Sequence, residues 1–137
     1  MIFYRVLLPI SHLKPTEQPM SYPIKTNAII LSLSDITANT KEIRLRLHQP
    51  LSHLAGQWID FFAKINDVEH IAGYTLCTAA GEHQIIDIAV RRSSHPVSRW
   101  LHDTAKIGDS VDIFGGCGSC VYIPATEDQV AFLVGGI

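Results

Sequence analysis

The sequence lacks a long apolar run, a basic tract and a second cysteine pair, and each absence removes a class of function. Its apolar stretches are all too short to cross a bilayer as a helix, so no membrane insertion is expected. Arg91-Arg92 is the only adjacent arginine pair and the formal net charge is −2. Nothing therefore tracks a phosphate backbone, and neither nucleic acid nor an anionic membrane surface is an expected partner. Three cysteines, an odd number, argue against a disulfide-stapled secreted domain. Cys117 and Cys120 do form a C-x-x-C, but within Gly115-Gly116-Cys117-Gly118-Ser119-Cys120, a run of turn residues. A redox dithiol normally opens a helix, whose dipole lowers the thiol pKa, and a zinc site needs two further ligands. Small residues in a tight loop is the preferred reading. The histidines show neither H-x-x-x-H nor H-E-x-x-H spacing, and no G-x-S-x-G nucleophile turn is present. Asp35, Asp60, Asp87 and Asp103 form no pair that sequence alone can turn into acid–base chemistry.

The chain has 137 residues, enough for one buried core and too few for two ordinary domains. Its 47% hydrophobic and 18% charged content is that of a globular protein. Met1 to Ile10 is apolar with one arginine, but has no charged n-region and no small-residue cleavage site. It is read as an extension packed on the body or a poorly ordered end, with the cytoplasm as the expected compartment. Thr16 to Pro23, with its prolines and turn-formers among polar residues, reads as a linker.

After the linker the pattern is mostly β. Thr26 to Leu33 is a strand candidate. Glu42 to His48 alternates, with Ile43, Leu45 and Leu47 on one face and Arg44, Arg46 and His48 on the other, the mark of a half-buried strand. Gln49-Pro50 is expected to end it. Ala55-Gly56 turns into Gln57 to Ala63, and Asn66-Asp67 is a second turn. Further strands are expected through Tyr74-Thr75-Leu76-Cys77, over Gln84 to Arg92 with Ile86, Ile88 and Val90 inward, over Ser110 to Phe114 after a Gly108-Asp109 turn, and over Cys120 to Ile123. One helix is expected, opened by Pro96, with Val97, Trp100 and Leu101 on one side and its end near Thr104. Short strands with one short helix suggest an antiparallel barrel or sandwich. Val130 to Val134 breaks the pattern, because a continuous apolar run before Gly135-Gly136 fits a parallel strand and its phosphate-holding turn.

Five stretches, in order, resemble the ferredoxin–NADP reductase superfamily. Ala55-Gly56-Gln57 is similar to its P-G-Q turn, and Tyr74-Thr75 to the second half of its R-x-Y-[ST] flavin motif. His95-Pro96-Val97-Ser98 with Trp100-Leu101 resembles G-x-[VCA]-S-x-[WFY]-L, the start of its capping helix. Ile107 to Val111 with Gly115 to Gly118 resembles G-D-x-V followed by G-P-x-G, and Val134-Gly135-Gly136-Ile137 the start of G-G-x-G-[IV]. Each alone is weak; the ordered set is specific. The wording Gly73-Tyr74-Thr75-Leu76-Cys77 is closest to the oxidoreductase NAD-binding domain-containing proteins of that superfamily.

The resemblance implies a mainly β fold, a six-stranded antiparallel Greek-key barrel with one capping helix. It divides the chain into an N-terminal extension (1–22), a FAD-binding barrel (23–126) and the first strand of a truncated NAD(P)-binding domain (127–137). It implies FAD as cofactor, held by Tyr74, Thr75, Leu76, Cys77, Ala89, Val90, Arg91, His95, Pro96, Val97 and Ser98. Tyr74 and Thr75 offer stacking and a hydroxyl, and the amides of Thr75 to Cys77 further hydrogen bonds, to a ring whose potential such contacts set. His95 to Ser98 offers amides and a hydroxyl to the pyrophosphate at a helix start. Each has a plainer alternative: a core tyrosine at 74, ordinary capping at Ser98, an exposed strand face at Arg91. Two residues depart from the pattern. Ala72 stands where the family has the arginine that pairs with the pyrophosphate, a contact worth about 1.5–3 kcal/mol. His95 replaces the glycine that opens the helix motif. Arg91, Arg92 and Arg99 are candidate substitutes for the lost cation.

The implied function is transfer of electrons from NADH or NADPH, held through a missing C-terminal domain, to FAD and on to an unidentified acceptor. The barrel itself contributes no catalytic acid or base, and the fragment alone is expected to be inactive. The rival is a non-catalytic barrel that lost its flavin and serves binding or interaction.

Overall fold

The structure, a computed structural model, describes residues 22–123. The Met1–Ile10 extension, most of the linker, and the Val130–Val134 strand with its glycine turn lie outside the described residues. In chain order the elements are β1 (Ile24–Thr37), β2 (Thr40–His53), β3 (Trp58–Ile65), β4 (Val68–Thr75), β5 (Gly81–Arg91), α1 (Pro96–Asp103) and β6 (Ser110–Cys117). All neighbouring strands are antiparallel, in the order β4-β3-β6-β1-β2-β5.

The alternation read from the sequence sets the faces. Ile43, Leu45 and Leu47 of β2 and Ile86, Ile88 and Val90 of β5 are buried, while Arg44 and Arg46 are exposed. They pack with Ala28, Ile30, Ile59, Phe61 and Ile113 in one cluster that α1 closes with Val97 and Leu101. Each fully buried aliphatic or aromatic side chain contributes about 1.5–3 kcal/mol, which makes this cluster the main source of stability. Pro96 occupies the first turn of α1 and Thr104 caps its end, as the sequence indicates.

Three expectations need correction. The sheet is mainly β with one helix, but it is not a closed barrel. Among the described residues its two ends, β4 and β5, meet only at the isolated bridge between Leu76 and Ile88, one of whose bonds runs from Cys77 N to Asp87 O (2.8 Å). Pairing stops there because the next donor, Asp87 N, bonds the Thr78 hydroxyl (2.7 Å) rather than a strand carbonyl. Pro50 does not end β2. It lies where the β2–β5 register shifts, between Arg46 and Leu51, so its missing N–H removes no ladder bond. Cys120 to Ile123 is not a strand; Val121 N bonds Ser119 O (3.1 Å) in a turn, and Tyr122 N reaches Ala55 O (3.0 Å). The Asn66-Asp67 turn is as expected, both residues having positive φ (51° and 64°), the geometry of a tight hairpin.

Candidate functional site

Alternation along β4 turns Ala72 and Tyr74 inward and leaves Ile71, Gly73 and Thr75 on the solvent side. Tyr74 is half-buried with its ring edge-on to Phe61 at 6.0 Å between centroids. Burial pushes its phenol up to about 12, so it stays a protonated donor at neutral pH. Thr75 closes β4 and is exposed beside it. Leu76 is buried in the core and its N–H bonds Gln57 O (3.1 Å); the Cys77 N–H bonds Asp87 O (2.8 Å). Two of the three amides expected to face a flavin are therefore engaged, that of Leu76 beside β3 and that of Cys77 across the seam to β5.

On β5, Ala89 and Arg91 share the exposed face. Val90 points into the core, and its carbonyl accepts a bond from His102 Nε2 (3.0 Å). Its side chain is thus a core contact rather than a ligand contact. Arg91 makes no ion pair among the described residues.

The start of α1 is more self-contained than the sequence suggests. Pro96 has no N–H, and the Val97 N–H is capped by His95 Nδ1 (3.3 Å). Ser98 is 2% exposed. Its hydroxyl donates to Arg91 O (2.9 Å) and accepts from Ser93 N (2.9 Å). Ser98 thus ties the β5–α1 connection together, and Val97 belongs to the core. The expected set of free helix-start donors is reduced accordingly.

Between α1 and the β3–β4 hairpin lies an open cavity of about 640 Å³, with Lys64, His70, Ser94, Pro96, Arg99 and Trp100 in its walls. Of these, Pro96 belongs to the site expected from sequence, and Arg99 is one of the candidate substitutes for the lost cation. His70 carried a usable signal, since it precedes Ala72 by two residues on the same strand and so shares its face. The cavity's carboxylate, Asp103, is neutralised by a two-point pair with Arg92 (2.7 and 3.1 Å). Among the described residues no cluster of three metal-ligating side chains exists, and no helix is long and apolar enough to cross a membrane.

An antiparallel sheet whose ends nearly meet, with one helix packed on β3, β4 and β5 and a cation-bearing cavity between that helix and the β3–β4 hairpin, is a framework for a large anionic cofactor. Residues 27–122 match the family described as the oxidoreductase FAD-binding domain. The chain is 27% identical over 133 residues to Oxidoreductase NAD-binding domain-containing protein 1 of Xenopus laevis, covering 92% of this chain and 41% of that protein. It is 29% identical over 122 residues to the reductase subunit of an aromatic O-demethylase from an Amycolatopsis species, covering 85% of this chain and 36% of that one. Among solved structures, the Amycolatopsis cytochrome P450 reductase GcoB superposes with a TM-score of 0.69 at 28% identity, over 80% of this chain and 33% of that one. The chain thus spans about two fifths or less of the relatives named. It belongs to the oxidoreductase FAD-binding domain family.

The residues present fit that cofactor. The cavity has room and a cation at the hairpin end of β4, and Tyr74 with Thr75 stands at the other end of the same strand. What differs is the donor set for phosphate, which lacks an arginine at Ala72 and begins α1 with a capped amide.

Proposed function

We propose that this chain is the flavin-holding part of an NAD(P)H-dependent oxidoreductase that passes electrons from a nicotinamide nucleotide through FAD to an acceptor. The observation that carries the reading is Tyr74-Thr75 at the end of β4, a strand whose other end lines the cavity beneath α1, in a chain of the FAD-binding family. When bound, FAD supplies the chemistry, taking two electrons from the nicotinamide and releasing them to the acceptor.

The chain's own residues hold and orient. Tyr74 offers a ring fixed against Phe61 and a phenol that remains a donor, and Thr75 offers an exposed hydroxyl at the strand end. The engaged amides of Leu76 and Cys77 hold that strand end between the start of β3, through Gln57 O, and β5, through Asp87 O. Ala89 and Arg91 present the outer face of β5, and His95 to Ser98 the helix start. Two similar proteins are named as the reductase subunit of an O-demethylase and as a cytochrome P450 reductase, which favours a redox protein as acceptor. We assign the nicotinamide nucleotide to a parallel-sheet domain opening at residues 127–137, on the resemblance of Val134 to Ile137 to a phosphate loop.

One observation favours a second reading, a module without flavin: Ala72 and the capped Val97 amide both weaken the expected grip on phosphate. The test is titration of the protein with FAD, followed by flavin fluorescence and visible absorbance. Saturable binding is expected. None at high-micromolar FAD would leave the flavin-free module as the answer.

A further inference from the structure

Resting on the flavin reading, we propose that this chain grips the FAD diphosphate from the helix side, with Arg99 supplying the cation that strand β4 lacks at Ala72 and His70 facing it from β4. A diphosphate is dianionic and is best held by charge-assisted hydrogen bonds. The β4 position that the family fills with arginine carries only a methyl group here. The start of α1 does not make up the loss, because Pro96 has no N–H and His95 already accepts from Val97 N.

The cations near the seam sort themselves by partner and position. Arg92 is bound at two points to Asp103. Lys64 pairs with Asp67 at 3.1 Å on the hairpin turn. Arg91 lies on the outer face of β5 and does not line the cavity. Arg99 does line it, one turn beyond Pro96, and forms no ion pair among the described residues. Arg92 makes the two-point pair with Asp103, and Arg99 feels that carboxylate only through space, without an ion pair, so its donors remain available to an anion in the cavity. His70 forms part of the same lining from β4, two residues before Ala72, and adds a second nitrogen donor. The lost arginine and the retained cavity are thus reconciled by one cation moved from strand to helix.

The experiment compares FAD with riboflavin, which has the same ring and no phosphate, on the 137-residue chain by fluorescence titration. Arg99→Gln should weaken FAD about tenfold or more, the range of one charged hydrogen bond, and leave riboflavin within about twofold. Arg99→Lys should recover part of the loss. Arg46→Gln, which removes the same charge from the outer face of β2, should change neither ligand. Ala72→Arg should tighten FAD, and more strongly in the Arg99→Gln background than in the wild type, because both cations would serve one dianion. Circular dichroism checks that each variant is folded. Wild-type binding that Arg99→Gln leaves unchanged, or equal losses for FAD and riboflavin, would overturn the inference while the flavin reading stands. No saturable FAD binding by the wild type would overturn both.

Discussion

His53 shows how one side chain links the site to pH. It is 2% exposed at the end of β2, and its Nε2 donates to Thr78 O (3.1 Å), holding the loop that follows Tyr74 to Cys77. Donation from Nε2 leaves Nδ1 bare, and Nδ1 is buried with no partner among the described residues. The His83 ring stands 5.7 Å away, tilted by 51°. Desolvation, the largest cause, holds His53 below its ordinary 6.5, and the His83 charge pushes the same way against the Thr78 bond. A depressed folded value means the unfolded chain takes up the proton first. The contribution of His53 is therefore complete above the unfolded value near 6.5 and is lost as pH falls through the folded one. Thermal melting should decline more steeply between about pH 7.5 and 5 in the wild type than in His53→Gln, which keeps a donor for Thr78 O but cannot titrate. Parallel declines would place the acid sensitivity in carboxylates elsewhere.

At the scale of elements, one buried hydroxyl joins both sides of the β5–α1 connection, alongside the Arg92–Asp103 pair and the bond from His102 to Val90 O. Ser98 Oγ joins Arg91 O, the last residue of β5, to Ser93 N, in a position closed to water. Ser98→Ala removes one buried group and strands two backbone partners, so a loss of about 1–3 kcal/mol is expected in denaturant unfolding. A change below about 0.5 kcal/mol, the range of an ordinary surface substitution, would show that water replaces the hydroxyl. The position of Ser98 was legible in the sequence, whereas its engagement was not. The same division runs through the fold. Period-two alternation gave the faces of β2 and β5 correctly, since each apolar residue has its own reason to be inside. Pro50 was misread as a stop because the shift that tolerates it exists only when β5 lies alongside. The amides of Leu76 and Cys77 were read as free because Gln57 and Asp87, which accept from them, are remote in sequence. His70, Arg99 and Trp100 gather around one cavity only once α1 folds over the β3–β4 hairpin, an arrangement no local pattern encodes.

Taken whole, the sheet has one weak line among the described residues. Among these residues every internal strand is laddered on both sides, while β4 and β5 share a single bridge. Local opening costs least where few backbone bonds and few buried contacts must break, so amides along this seam should exchange with solvent by opening rather than by global unfolding. A ligand held between Tyr74-Thr75 and α1 would tie the two sides together. At about a hundredfold excess over Kd, binding stabilises the native state by about 2.7 kcal/mol. Core amides of β1 and β2, which exchange only through global unfolding, gain that protection wherever the ligand sits, and so locate nothing. The informative amides are those that exchange locally. Hydrogen exchange followed by mass spectrometry, with and without saturating FAD, should show added protection in such amides over residues 70–78, 86–92 and 95–104. The β1–β2 hairpin tip at 37–40 lies outside the proposed flavin contacts and should be unchanged in its local exchange. Protection that appears at that tip, or that is confined to the globally exchanging core, would mean that FAD does not bridge the seam and that the motif residues at the end of β4 do not hold it.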